Sequence, residues 1–259
     1  MDKPLILVSN DDGYDAPGCV ALATALSEFA DVVVVAPERE QSAKSHAITL
    51  SSPLRHRVVA ENVHAIGGTP VDCVYVALFH GELLPRRPDL VASGINHGPN
   101  LGMDIHYSGT VAAAREGAMR GVPAIAFSSL ARDVVPAAPI AAELCRRMLA
   151  AVMPEGQPAL LNVNFPRGEI AGVRATRLGH RHYAEGVDVR TDPRGREYFW
   201  IGGPGGVEHG GVEGSDTQAV DAGYASVTPL SIESTLTAHL GLAAYVAGDG
   251  TADESPGDP

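Results

Sequence analysis

The sequence predicts a three-layer α/β fold: a mainly parallel sheet with helices on both faces. Two observations predict it. Short apolar runs of strand length alternate with longer segments of helical spacing through the first 166 residues. The runs also end in Asn, Asp, Gly or Ser, the residues that turn a chain rather than continue a strand.

The elements follow in order. Residues 4–9 form a buried strand that runs into Asn10-Asp11-Asp12-Gly13. Residues 17–29 carry Val20, Leu22, Leu26 and Phe29 at helix-compatible spacing, and 31–36 are a β-branched run. Two or three short strands are expected between 47 and 66, where no helical period shows. Thr69-Pro70-Val71-Asp72 opens a helix that should reach about Leu83, with Thr as N-cap, Pro at the first position and a carboxylate in the first turn. A strand at 89–94, a helix at 110–120, a strand at 122–128, a helix at 137–152 and a strand at 159–165 complete the alternation. Residues 167–214 change character, being rich in Gly, Arg and isolated aromatics, with a candidate hairpin around 197–201. Residues 202–214 hold seven glycines and are expected to be a flexible loop. A last helix and strand should span 216–229. The chain thus divides into an α/β core (1–166) that carries the site, an extension (167–247) packing on the core and on partner subunits, and a disordered acidic tail (248–259).

Composition narrows the function. The 259 residues carry 19 Lys+Arg against 31 Asp+Glu, a net charge of −12. Such a surface repels nucleic acid, and 5% aromatics is too few for a base-stacking platform. No apolar run approaches the ~18 residues of a membrane span. The run at 5–8 passes straight into Asn10-Asp11-Asp12, so no signal peptide is expected. Three cysteines, Cys19, Cys73 and Cys145, are odd in number and far apart, which points to free thiols and a cytoplasmic location. Any anionic substrate needs a local positive centre: a cation, a helix N-terminus or an Arg.

Several common sites are absent: there is no Gly-Lys of a P-loop, no His-Glu-x-x-His, no Cys-x-x-Cys and no Gly-x-Ser-x-Gly. What remains is a set of polar residues at strand ends. Asp11 and Asp12 follow the first strand, Ser42 lies beyond the second, and Asn96 follows the strand at 89–94. In a parallel sheet these loops open on one edge. Adjacent carboxylates repel unless one is protonated or a cation lies between them. Two carboxylates, a hydroxyl and an amide oxygen make a hard shell suited to Mg²⁺ or Mn²⁺. The plainer alternative is an Asx-type turn with Asp capping the next helix. Tyr107-Ser108-Gly109-Thr110 opens a helix and can be either a simple N-cap or a phosphate seat. Its place 12 residues after Asn96, across a Gly- and Asn-rich stretch, favours the second.

These residues resemble the stationary-phase survival protein SurE family. The resemblance rests on residues 6–13 (Ile-Leu-Val-Ser-Asn-Asp-Asp-Gly), 35–43 (Val-Ala-Pro-Glu-Arg-Glu-Gln-Ser-Ala) and 68–74 (Gly-Thr-Pro-Val-Asp-Cys-Val). It continues through 93–102 (Ser-Gly-Ile-Asn-His-Gly-Pro-Asn-Leu-Gly), 107–117 and 223–230. It implies a Rossmann-like core with a hairpin extension, assembled as a homodimer or homotetramer, that removes phosphate from nucleoside 5′-monophosphates. Some members also cleave terminal phosphates of short polyphosphate. The family's metal ligands fall on Asp11, Asp12, Ser42 and Asn96, implying one divalent cation per subunit. Its phosphate-side residues fall on Asn96, Ser108, Gly109 and Thr110. Residues 202–214 and the acidic tail match no motif.

The expected chemistry is attack by a metal-activated water, with Asp11 or Asp12 assisting proton removal. A phospho-aspartate route usually takes carboxylates on alternate residues, whereas these are adjacent. A non-catalytic nucleotide-binding regulator is the other alternative. His97 and His106 flank the phosphate loop as leaving-group acids or plain surface histidines, His46 has a weaker claim, and Arg115 and Glu116 read as structural pairs.

Overall fold

The computed structural model describes residues 3–152, 158–184, 186–202 and 206–248. Strand β1 (Leu5–Ser9) is buried throughout, as an apolar run covered on both faces must be. Helix α1 (Pro17–Ser27) starts on a proline and presses on the neighbouring strand, because a β carbon at Gly18 would lie 1.9 Å from the carbonyl oxygen of Ile95. Strand β2 (Asp31–Pro37) follows, then β3 (His56–Ala60) and β4 (Val63–Ile66), two strands in the region where two or three were expected. Helix α2 (Pro70–Phe79) has the predicted cap in full. Asp72 donates its N–H to Thr69 Oγ1 at 3.1 Å, and Asp72 Oδ2 accepts from the Thr69 N–H at 2.8 Å. It ends short of Leu83, at His80 and the left-handed Gly81.

Next come β5 (Leu90–His97), α3 (Gly109–Met119), β6 (Ala124–Ser129), α4 (Ala138–Ala150) and β7 (Leu160–Phe165). Nine residues of the Ala-rich α3 are buried. Small residues let it lie flat on the sheet: a β carbon at Gly117 would stand 2.6 Å from a Val91 methyl. The later part holds β8 (Val173–Ala175), β9 (His180–His182), the hairpin β10 (Val187–Thr191) and β11 (Glu197–Ile201), β12 (Glu208–Gly210), α5 (Asp216–Asp221), β13 (Ala225–Pro229) and α6 (Leu240–Ala247).

Nine of these strands form one sheet in the order β3-β4-β2-β1-β5-β6-β7-β13-β8, parallel except where β3 meets β4 and β13 meets β7. Helices α1 and α4 cover one face over a core that includes Leu22, Leu26, Phe127 and Phe165. Helices α2 and α3 cover the other, over Leu7, Val35, Val74 and Val111. Strands β13 and β8 belong to the same sheet, so the boundary expected after residue 166 falls inside a continuous layer.

Three expectations need correction. The Gly-rich stretch 202–214 is not loop throughout, since β12 pairs antiparallel with β9. Helix α6 went unread because its apolar residues, Leu240, Leu242, Tyr245 and Val246, fill no face of the core. The β10–β11 hairpin forms, but neither of its faces packs on its own core: every residue of both strands is exposed. The tail beyond Gly248 lies outside the described residues.

Candidate active site

The site lies where the strand order turns back. From β1 the chain runs outward to β2 and β4 on one side, and returns to β5 on the other. The carboxyl ends of β1 and β5 therefore diverge, and the crevice between them is where α/β sheets take ligands.

Asn10, not an aspartate, closes the turn after β1. Its Nδ2 donates to the Gly13 carbonyl at 2.8 Å, and its Oδ1 accepts from the Gly13 N–H at 3.2 Å. Helix α1 has no side-chain cap. The Asx turn is real, but Asp11 and Asp12 are free of it. Asp11 is 5% exposed, and its Oδ1 accepts a short hydrogen bond from the Thr110 hydroxyl. Gly109 allows that approach, since a β carbon there would lie 2.8 Å from Asp11 Cβ and 2.9 Å from Asp11 Oδ2. Burial lifts the Asp11 pKa to about 6, against the pull of the Thr110 hydrogen bond, and the Asp12 charge adds to the rise. Asp12 accepts from the His97 N–H at 3.2 Å. Its pKa is raised too, by burial first and then by Glu40, with the His97 N–H opposing.

Asn96 owes its place to an irregularity. The register between β5 and β6 shifts between Ser93 and Asn96, and Gly94 there has φ 128° with the Phe127 carbonyl 2.3 Å from where a β carbon would be. Asn96 Nδ2 donates to the Gly98 carbonyl at 2.7 Å, which leaves the amide oxygen as the atom available to a ligand. Ser42 donates to Glu40 Oε1 at 2.7 Å. Its loop is fastened to the far side of the crevice, where the Ser45 N–H donates to the Tyr107 carbonyl at 3.0 Å and Ser45 Oγ to the His106 carbonyl.

Asp11, Ser42, Asn96 and Ser108 line one cavity of about 420 Å³. Asp12 lines an adjoining cavity of about 540 Å³ with Glu40 and Arg132, and Ser42 and His97 line both. The residues that open α3 make bonds of their own. Ser108 Oγ accepts from the Val111 N–H at 3.1 Å as an N-cap, while its side chain still faces the cavity. Thr110 is fully buried and its hydroxyl donates to Asp11, so in this structure its side chain holds a carboxylate. His106 is exposed and off the cavity walls. His46 Nε2 lies 2.9 Å from Glu116 Oε2, and Glu116 also takes Arg120 Nε at 2.7 Å, a structural pairing. No ion pair holds Arg115 among the described residues.

Three residues of this cavity were missed in sequence. Arg181 and Tyr183, on and just after β9, both reach Asp104: Arg181 Nη1 through a short ion pair and Tyr183 Oη by donating at 2.7 Å. Burial, with Asp104 adding, pushes the Tyr183 hydroxyl to about 12. Arg181 is the one cationic side chain on this wall among the described residues, and its charge is paired with Asp104. The one available signal was the basic, aromatic run His180-Arg181-His182-Tyr183 in a segment without a period. Behind the wall, Asn100 ties the 97–102 loop to the sheet, its N–H donating to Asn164 Oδ1 and its carbonyl accepting from the Asn162 and Asn164 amides.

The donor set fits a hard dication. Buried Asp11 and half-buried Asp12 are adjacent and form no ion pair with a Lys or Arg among the described residues, and the neighbouring donors are oxygens. No group of three or more His, Cys, Asp or Glu placed to hold a metal occurs among the described residues, so a cation here takes two carboxylates and neutral oxygens.

Fold and site together define an α/β protein with an oxygen-lined, acid-centred crevice at its topological switch point, the class of site that handles phosphoryl groups. The chain belongs to the SurE family: the survival protein SurE profile matches residues 6–185. It is 55% identical over 251 residues to a protein of Sorangium cellulosum named 5′-nucleotidase SurE, covering 95% of this chain and 97% of that one. A Vibrio vulnificus protein of the same name is 48% identical over 93% of this chain and 94% of its own. The crystal structure of the SurE protein from Aquifex aeolicus, 40% identical, superposes with a TM-score of 0.82 over 94% of this chain.

Proposed function

We propose that this chain is a divalent-cation-dependent 5′-nucleotidase, which hydrolyses nucleoside 5′-monophosphates to nucleoside and phosphate. The observation that carries this reading is the Asp11–Asp12 pair at the switch point, beside Ser42 and Asn96 and ion-paired to no Lys or Arg among the described residues. The shared name of the relatives supports the reaction. A Mg²⁺ or Mn²⁺ ion held by Asp11, Asp12, Ser42 and Asn96 supplies charge neutralisation for phosphoryl transfer and acidifies water.

The chain's own groups do the rest. Thr110 holds Asp11 in one orientation. Asp12, less buried and open to the second cavity, is placed to take a proton from the attacking water. Ser108 keeps its hydroxyl proton for a phosphate oxygen, because its Oγ only accepts, from the Val111 N–H, in this arrangement. Arg181 sets a guanidinium on the wall of the same cavity, held in place by Asp104. His97, lining both cavities, can protonate the leaving alkoxide. The working form is a cytoplasmic homodimer or homotetramer in which the exposed β10–β11 arm reaches a second copy.

The test is phosphate release from a panel of 5′- and 3′-nucleoside monophosphates and short polyphosphate, with each divalent ion and with chelator. Cation-stimulated release, fastest on 5′-monophosphates, is expected. Tight nucleotide binding with a flat cation response would make the chain a regulator. A trapped, labelled phospho-enzyme would move the nucleophile from water to an aspartate.

A further inference from the structure

Asp216, the first residue of α5, is a fully buried carboxylate that the chemistry above does not use. It forms no ion pair among the described residues, and its oxygens are met by backbone instead. Oδ1 accepts from the Gly179 N–H at 2.7 Å and the Thr217 N–H at 2.8 Å, and Oδ2 accepts from the Gly102 N–H at 2.9 Å. The two distant partners lead into separate segments of the site cavity. Gly102 opens the short helix Gly102–His106, which carries Asp104 and runs on to Ser108, while Gly179 directly precedes β9 with its Arg181.

The packing around this carboxylate has no slack. A β carbon on Gly102, at φ 52°, would stand 2.5 Å from the Gly179 carbonyl oxygen. One on Gly179 would stand 2.3 Å from Thr217 Oγ1 and 2.9 Å from Asp216 Oδ1. The Asp216 N–H donates to the Arg177 carbonyl at 2.8 Å, and the Arg177 N–H to the Gly214 carbonyl at 3.1 Å. Residues 177–179 therefore lie along 214–216, and the Asp216 carboxylate carries that hold across to Gly102. Two residues beyond each glycine the same segments join again, Arg181 to Asp104.

We propose that Asp216 is a positioning residue for the reaction: it fixes β9 against the 102–106 turn, and so fixes where Arg181 meets the phosphate of the nucleotide. The inference rests on the reading of this cavity as a nucleotide site. A guanidinium grips phosphate through a planar fork of N–H groups, so the angle at which it is presented decides its worth. Arg181 takes that angle from Asp104, and Asp104 stands on the turn that Asp216 holds. A carboxylate suits the post because both of its oxygens accept. Asn at 216 would turn its amide N–H₂ toward either the Gly102 or the Gly179 N–H, donor against donor. Asp216 makes no bond to Asp11, Asp12, Ser42 or Asn96, so cation binding should not depend on it.

The test compares wild type, Asp216→Asn, Arg181→Gln and the double variant, all full-length, on adenosine 5′-monophosphate with Mn²⁺. Asp216→Asn should raise KM roughly tenfold with kcat within about threefold of wild type, and calorimetry should find Mn²⁺ affinity unchanged. In the Arg181→Gln background the same substitution should add nothing, because the group it places is gone. A residue that serves only the fold would lower Tm and leave KM per folded molecule alone. That result, or a KM rise that persists without Arg181, overturns the proposal. Should Asp216→Asn not fold, Gly102→Ala forces the same two segments apart with the carboxylate intact. It should give the same KM rise and the same dependence on Arg181, and an unchanged KM there overturns the proposal too. Affinity for inorganic phosphate with Mn²⁺ present separates the two readings. A wild-type chain that cleaves no nucleotide refutes the nucleotidase, whereas equal phosphate affinity in wild type and Asp216→Asn refutes the positioning role alone.

Discussion

Gly109 decides how closely α3 approaches the carboxylates. It has no positive φ to protect, so its need is steric: a methyl would meet Asp11 at 2.8 Å and Pro70 Cγ at 3.0 Å. Gly109→Ala should cost about 1–3 kcal/mol through overpacking and lower kcat at least tenfold by displacing Asp11. Full turnover with an unchanged melt would show that this contact can relax. Asp11 itself makes stability depend on pH. Its folded pKa of about 6 exceeds the ordinary 3.8, so between those values the folded chain binds more protons than the unfolded one. In chelator, stability should fall as pH rises from about 4 to 6 and stay low above. Asp11→Asn removes the effect and should be more stable than wild type at pH 7, by on the order of 2–3 kcal/mol, and level with it at pH 4. Urea melts of both proteins at the two pH values measure this. Thr69→Ala loses the α2 cap and the bond to the Ala47 carbonyl, at a cost of about 1–2 kcal/mol. Asp72 still grips Thr49, so turnover per folded molecule should hold.

Among the described elements, the β10–β11 arm, like α6, is one whose burial the chain does not supply. Phe199 and Trp200 are each 62% exposed and Ile201 is 96% exposed. Tyr198-Phe199-Trp200 put aromatics on both faces of one strand, and here both faces are bare, which suits a contact with a second copy. The Gly202 N–H already donates to the Gly186 carbonyl at 3.0 Å, so residues 187–201 can be excised and their flanks joined. That excision spares β12, which pairs with the strand carrying Arg181. Light scattering should then show a smaller particle with the crevice intact. An unchanged mass would assign the assembly to another surface, such as the exposed face of α6.

For the whole molecule, charge sets the encounter. A chain at −12 and a dianionic nucleotide repel at long range. Salt should therefore raise kcat/KM between low ionic strength and about 0.1 M, where the screening length is about 10 Å. The assay is run at saturating cation. A fall over that range would mean that Arg181 and the bound cation, not the acidic surface, dominate the approach.

Legibility divides along the same lines. The parallel core could be read because strands buried on both faces must be continuous apolar runs, and residues 5–8 and 32–36 leave no other reading. Asp11, Asp12 and Ser42 could be named because they follow strands, and Asn96 because it sits at a strand's carboxyl end, though β5 runs on through it to His97 instead of stopping at Gly94; a parallel sheet sends all such ends to one edge. Arg181 could not, because three-residue β9 has no period and its partner β12 lies 26 residues away. Nor could the real work of Thr110, since a helix-capping sequence does not reveal that a carboxylate from another loop will take its hydroxyl. By itself the sequence determined what is local: hydrophobic runs, caps, turns and the oxygen-rich chemistry of the strand ends. Only the tertiary structure decided which of those groups meet and which are spent on one another, because such contacts are set by register and packing between distant segments.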